Sequence, residues 1–144
     1  MLFRSPAKNN RVEGNHIYRV MQTLSDGGGI YSLGRQHGSA FQGNVIHDVS
    51  PNAGRSPSNG VFMDEGSTDF LVESNVIYGV TATPIRFNKA GHNILRKNTL
   101  VGREPFRFNA CSKDQMVFED NSMPDPKVFV PPKPAELGAG RTMP

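Results

Sequence analysis

One short pattern recurs five times along this chain: an apolar residue, two variable residues, an asparagine, one variable residue and a second apolar residue. The copies run Val12, Asn15, Ile17; Phe41, Asn44, Ile46; Val72, Asn75, Ile77; Leu95, Asn98, Leu100; and Phe118, Asn121, Met123. The asparagines are 29, 31, 23 and 23 residues apart. A period of that size marks stacked supersecondary units. If equivalent positions stack at the parallel-strand spacing of about 4.8 Å, Val12, Phe41, Val72, Leu95 and Phe118 form one inward apolar ladder. Ile17, Ile46, Ile77, Leu100 and Met123 form another. Asparagine suits the repeated corner because it tolerates the left-handed backbone and its amide can bond to the asparagine of the next level. The five asparagines therefore mark the fold and not a binding site.

A second block follows each of the first four asparagines, beginning at Gly29, Gly60, Pro84 and Pro105, and reads as a short strand. From the first apolar residue of that block to the next asparagine the interval is 13 to 15 residues. Length variation is thus confined to one loop. That loop is long at Met21–Gly28 and Ser50–Asn59 and short at Thr81–Thr83 and near Arg103 and Glu104.

Composition agrees with a thin, turn-rich core: 36% hydrophobic residues, 15 glycines and 11 prolines in 144 residues, with no sustained helical periodicity. The expected fold class is all-β, a right-handed parallel β-helix of about four to five coils over residues 1–123. A proline-rich tail over 124–144 follows, with Val128, Phe129 and Val130 covering apolar positions of the last coil. The first coil has no covering helix, so the chain is expected to be part of a longer helix or to self-associate through that end. The net charge of +3 is scattered, without the basic run of a nucleic-acid surface, and no segment has membrane-spanning length. Neither nucleic acid nor membrane is an expected partner. A lone cysteine, Cys111, excludes an intramolecular disulfide. No signal peptide is evident in the chain.

Elaborated loops on one side of a repeat protein usually build its binding surface. Around these loops lie Asp26, His47, Asp48, Asp64 and Glu65. In the strand after the loop, Tyr31, Phe62, Arg86 and Arg107 fall on one outward ladder, and Leu33, Asp64, Asn88 and Asn109 on the next. Aromatics beside acids and arginines suit sugars. Glycoside hydrolysis needs two carboxyl groups flanking the scissile bond, and Asp26 and Asp64, with Glu65 in reserve, are the candidates, each beside a long loop and near glycines that would let a ligand approach. Tyr31, His47, Asp48 and Arg86 are the candidate substrate-binding residues, His47 being stacked between Tyr18 and Tyr78. The plainer alternatives are a turn at Asp26, a Glu65–Lys89 pair, simple stacking at His47, a turn at Asp48 and a solvated Arg86. No metal or other cofactor is expected, except calcium if the chemistry is that of a lyase.

The segments 26–34, 43–49 and 60–67 resemble the right-handed β-helix repeat proteins of bacterial carbohydrate metabolism, above all β-helical glycoside hydrolases. The resemblance covers about residues 9–123, and the segment 134–140 resembles the end of such chains. It implies the pectate-lyase-like superfamily fold, an extracellular or periplasmic setting and a polysaccharide or oligosaccharide in a groove along the helix. The paired-aspartate and Gly-His-Gly signatures of polygalacturonases are missing, as is the Arg-x-Pro-x-x-Arg signature of pectate lyases. Those two specific activities are therefore not expected, and the first reading is a glycoside hydrolase using carboxylates from Asp26, Asp64 and Glu65. The alternatives are a polysaccharide lyase acting on a uronate polymer, or a non-catalytic glycan-binding or truncated structural module.

Overall fold

The computed structural model describes residues 6–50 and 56–133. The middle of the second long loop and the segment 134–140 singled out above lie outside the described residues. The chain is all-β. Its strands are β1 (Arg11–Glu13), β2 (His16–Tyr18), β3 (Gly27–Arg35), β4 (Ala40–Gln42), β5 (Val45–Val49), β6 (Ser58–Thr68), β7 (Leu71–Glu73), β8 (Val76–Val80), β9 (Ile85–Asn88), β10 (Ile94–Arg96), β11 (Thr99–Leu100), β12 (Phe106–Asn109) and β13 (Val117–Glu119). Among the described residues no helix is long and apolar enough to cross a membrane.

Among the described residues all pairing is parallel and falls into three sheets: β1-β4-β7-β10-β13, β2-β5-β8-β11 and β3-β6-β9-β12. The chain thus visits the first, second and third sheets in turn, and each circuit pairs with its neighbour in a solenoid-like stack. The apolar ladders hold in register. Val12 faces Phe41, Phe41 faces Val72, Val72 faces Leu95 and Leu95 faces Phe118. On the second sheet Ile17, Ile46, Ile77 and Leu100 align in the same way. Val72, Leu95, Ile46, Ile77 and Leu100 are completely buried, each such side chain being worth about 1.5–3 kcal/mol relative to exposure. The third sheet adds Val61, Ile85, Met63 and Phe87 to this core, with Phe87 stacked flat on Phe108.

Met123 departs from its ladder. It is 52% exposed, because its level joins the second sheet through a single bridge at Ser122 instead of a strand. Of the three apolar tail residues, Phe129 meets Tyr78 at 5.5 Å, while Val128 and Val130 are largely exposed.

The asparagine ladder is continuous. Each Nδ2 donates to the next Oδ1, at 3.0 Å from Asn15 to Asn44, 2.9 Å to Asn75, 3.0 Å to Asn98 and 2.8 Å to Asn121. The left-handed residue is not the asparagine, however, but the one before it: Gly14, Gly43, Ser74, Lys97 and Asp120 all have φ between 49° and 63°. That corner turns the asparagine inward, where its Oδ1 also accepts the backbone N–H of the preceding level's asparagine. Its second Nδ2 hydrogen reaches the carbonyl of Val12, Phe41, Val72 or Leu95. The buried asparagines are thereby fully satisfied, which offsets the cost of roughly 1–2 kcal/mol for a left-handed Ser, Lys or Asp.

The same device recurs at other corners. Asn9, Gly38, Asp69 and His92 are left-handed before the first sheet, and behind them the buried Asn93 accepts the Phe70 N–H and donates to the Ser67 carbonyl. Along the second sheet Arg19, just after β2, and Asp48 and Gly79, within β5 and β8 ahead of the paired Val49 and Val80, are again left-handed. The backbone bends at Asp48, so Val49 points into the core and the Asp48 side chain stays 58% exposed.

Candidate functional site

The outer face of the third sheet carries the acidic and aromatic residues picked from the sequence. Strand alternation sends Ile30, Val61 and Ile85 inward, and so sends Tyr31, Phe62 and Arg86 outward at successive levels in direct register. Two residues further on, Leu33 aligns with Asp64, and Asn88 reaches Asp64 from the next level. Register alone therefore assembles residues more than 50 positions apart.

Asp64 is the hub. Its Oδ2 accepts the Tyr31 hydroxyl at 2.6 Å, and its Oδ1 accepts the Asn88 amide at 2.7 Å. Partial burial pushes the Asp64 carboxyl up, but the bonds from Tyr31 and Asn88, the Glu65 N–H and the charge of Arg86 outweigh it and hold the group below its ordinary value. The reciprocal effect raises Tyr31, through desolvation first and then through its bond to Asp64, so the phenol stays a donor.

Arg86 lies beneath this pair. Its guanidinium carbon sits 4.5 Å from the Phe62 ring centroid, a cation–π contact, and Phe62 in turn meets the edge of Tyr31. Its Nε donates to Asn109, and its Nη1 lies 3.7 Å from Asp26 Oδ1. That Nη1 is shielded from solvent and makes no hydrogen bond. Asp26 is 61% exposed and left-handed, with φ of 61°. Glu65 pairs with Lys89 at 2.9 Å, as the plainer reading of that residue anticipates.

Asp26, Tyr31, Asp64, Glu65 and Arg86 thus share one face. His47 and Asp48 do not join their hydrogen-bond network: they belong to the second sheet, where His47 is stacked between Tyr18 and Tyr78 and bonds to His16. The glycines near Asp26 also serve an end other than ligand access. A Cβ on Gly29 would strike Ile46 Cγ2 at 2.6 Å, and one on Gly28 would meet the Asn59 carbonyl at 2.9 Å, so these glycines let the chain pack against itself.

No family model, curated protein or solved structure matches the chain. The chemistry of this face therefore rests on its own geometry. Among the described residues no group of three or more His, Cys, Asp or Glu is placed to hold a metal ion. Two shallow grooves lie elsewhere, on the first sheet: one where His37, Asp69 and His92 flank Leu71 and Ile94, and one where His92 and Asp114 flank Ile94 and Val117. The sequence reading missed these grooves and the His16–His47 contact. The outward sequence of Ala40, Leu71, Ile94 and Val117 was the available signal for the first.

A Tyr31→Phe variant tests the hub directly. With one donor removed, the Asp64 carboxyl moves up toward the ordinary aspartate value of about 3.9, read by carboxyl-carbon NMR against pH. The sign for stability follows from the lowered native value. Asp64 stabilises the fold above the unfolded-state value and loses that contribution as pH falls through the native one, and the variant shrinks the contribution. An unshifted Asp64 midpoint would show that the Tyr31 bond does not control it.

Proposed function

We propose that the chain is a right-handed parallel β-helix of the pectate-lyase-like kind, with about four to five coils, whose third sheet hydrolyses glycosidic bonds of a polysaccharide or oligosaccharide. The observation that carries this reading is Asp64: a carboxylate kept ionised by Tyr31 and Asn88 on a sheet face that also carries Arg86, with Asp26 reaching Arg86 from the first long loop. A carboxyl held below its ordinary value is a poor proton donor and a good base or nucleophile. The proton for the leaving oxygen then comes from a second, more exposed carboxyl, Asp26 or Glu65. Tyr31, 48% exposed, offers a ring for an apolar sugar face. Arg86, 3.7 Å from Asp26 and lending its charge to Asp64, is the substrate clamp. Such a substrate fits the extracellular or periplasmic setting that the β-helix resemblance implies.

A panel of soluble neutral and uronate polysaccharides tests this. The expected outcome is new reducing ends without ultraviolet-absorbing unsaturated product. Unsaturated uronate ends would make the protein a lyase, and binding without cleavage would make it a glycan-binding module; either result overturns hydrolysis.

A further inference from the structure

The second sheet carries a separate cluster that the hydrolytic reading leaves unused. His16 and His47 lie on adjacent strands but not opposite each other: His16 aligns with Val45, and His47 with Tyr18. The contact is diagonal, within reach of long side chains on one sheet face. It brings the two Nε2 atoms to 2.7 Å. Two N–H groups cannot point at each other at that distance, so no more than one proton lies between them, and at least one imidazole presents a lone pair to the gap.

His47 is held in place for this. Its ring is nearly parallel to Tyr18, 5.5 Å away at 9°, and to Tyr78, 4.7 Å away at 8°. Phe129 closes over Tyr78. On the far side of the ring, Asp48 Oδ2 lies 3.0 Å from Nδ1, and a carboxylate there favours the tautomer with the proton on Nδ1 and the lone pair on Nε2. A carboxylate behind a histidine whose other nitrogen faces outward is the arrangement that orients metal-ligating imidazoles. The aromatic stack itself is a poor sugar platform, because its inner faces are occupied by one another.

We propose that His16 and His47 form a two-imidazole site for a divalent transition-metal ion of the zinc, copper and nickel class, with Asp48 as the positioning carboxylate. Imidazole nitrogen suits these ions. Two nitrogens bound at about 2.0–2.1 Å to a tetrahedral ion stand roughly 3.3 Å apart, so the pair opens by well under 1 Å, with the exposed His16, stacked on Tyr18 alone, moving and His47, held between two tyrosines, staying. His16 gives up its Nε2 proton and takes one on Nδ1 through solvent, so both Nε2 lone pairs face the ion, and water fills its remaining positions. Protonating either ring removes a lone pair, so affinity falls as pH is lowered.

The experiment is titration of the folded chain with zinc chloride alone and, separately, copper(II) chloride alone, followed by calorimetry and by imidazole-nitrogen NMR. One ion per chain is expected, with shifts confined to the His16 and His47 rings. His16→Ala and His47→Ala should each weaken binding at least tenfold, and the paired His37→Ala, His92→Ala variant should leave it unchanged. Asp48→Asn, which tolerates the left-handed backbone at φ of 52°, should weaken it about tenfold while keeping the fold. Binding that survives His47→Ala, or is lost with His37 and His92 instead, overturns the site, as does a titration that leaves both rings unshifted.

Discussion

Replacing Asn75 with alanine is expected to lower the free energy of unfolding by about 3–5 kcal/mol, a large loss for a single polar substitution. Asn75 is completely buried and makes four hydrogen bonds: it donates to Asn98 Oδ1 and the Phe41 carbonyl, and accepts from the backbone and side-chain amides of Asn44. Alanine strands the Asn44 N–H and the Phe41 carbonyl inside the stack, and each orphan costs about 1–3 kcal/mol. The cost does not stop at one level, since neighbouring units of a solenoid are stabilised through their interfaces. Asn121→Ala is the comparison. That residue is only half-buried, so water can replace part of what it loses, and about 1 kcal/mol is expected. Urea denaturation of both variants measures the difference. Equal losses at Asn75 and Asn121, or a loss below about 1 kcal/mol at Asn75, would show that the ladder is not what holds the levels together.

The ladder was legible because three constraints coincide at one position. An inward side chain is needed two residues before the second sheet's core position, its polar atoms must be paired, and only a planar amide both gives and receives along a 4.8 Å stack. The same reasoning placed Val12, Phe41, Val72 and Leu95 in register, since an error of one residue would turn each of them outward. The location of the left-handed corner was harder to read. Gly14 and Gly43 hint at it, but Ser74, Lys97 and Asp120 hide it, because their strain is compensated by hydrogen bonds of the next residue and so leaves no compositional trace. The glycines after Asp26 misled in the opposite sense. Their bare backbone is filled by Ile46 and Asn59 from other levels, which no local motif records.

At the candidate site, what was legible was whatever follows from columns. Tyr31, Phe62, Arg86 and the Asp64–Asn88 contact come directly from stacking the strands. What crosses columns was not: Arg86 reaches Asp26 in the first long loop, two levels away, and His16 reaches diagonally to His47, contacts set by side-chain torsions and not by register. The conformation of the long loop likewise has no repeat to constrain it.

Asp64→Asn is expected to reduce kcat/KM on a cleaved glycan by about 10²- to 10⁴-fold, the range for loss of a catalytic proton-transfer group, while the chain stays folded. Retention of the fold follows from the local bonding. The asparagine oxygen still accepts the Tyr31 hydroxyl, and Asn88 can turn its own amide to accept from the new nitrogen, so no buried polar atom is stranded. The lost property is the charge, and with it the ability to take a proton or attack a sugar carbon. Asp26→Asn and Glu65→Gln then identify the acid. The variant lacking the proton donor should lose most on poor leaving groups and little on activated aryl glycosides, whose departure needs no protonation, whereas Asp64→Asn should fail on both. Exposure allows either residue to serve: Asp26 is 61% exposed, while Glu65 must release Lys89 before it can approach a ligand. Unchanged turnover in a folded Asp64→Asn protein removes Asp64 from the mechanism, and the Tyr31–Asp64–Asn88 network then reads as a brace for the third sheet.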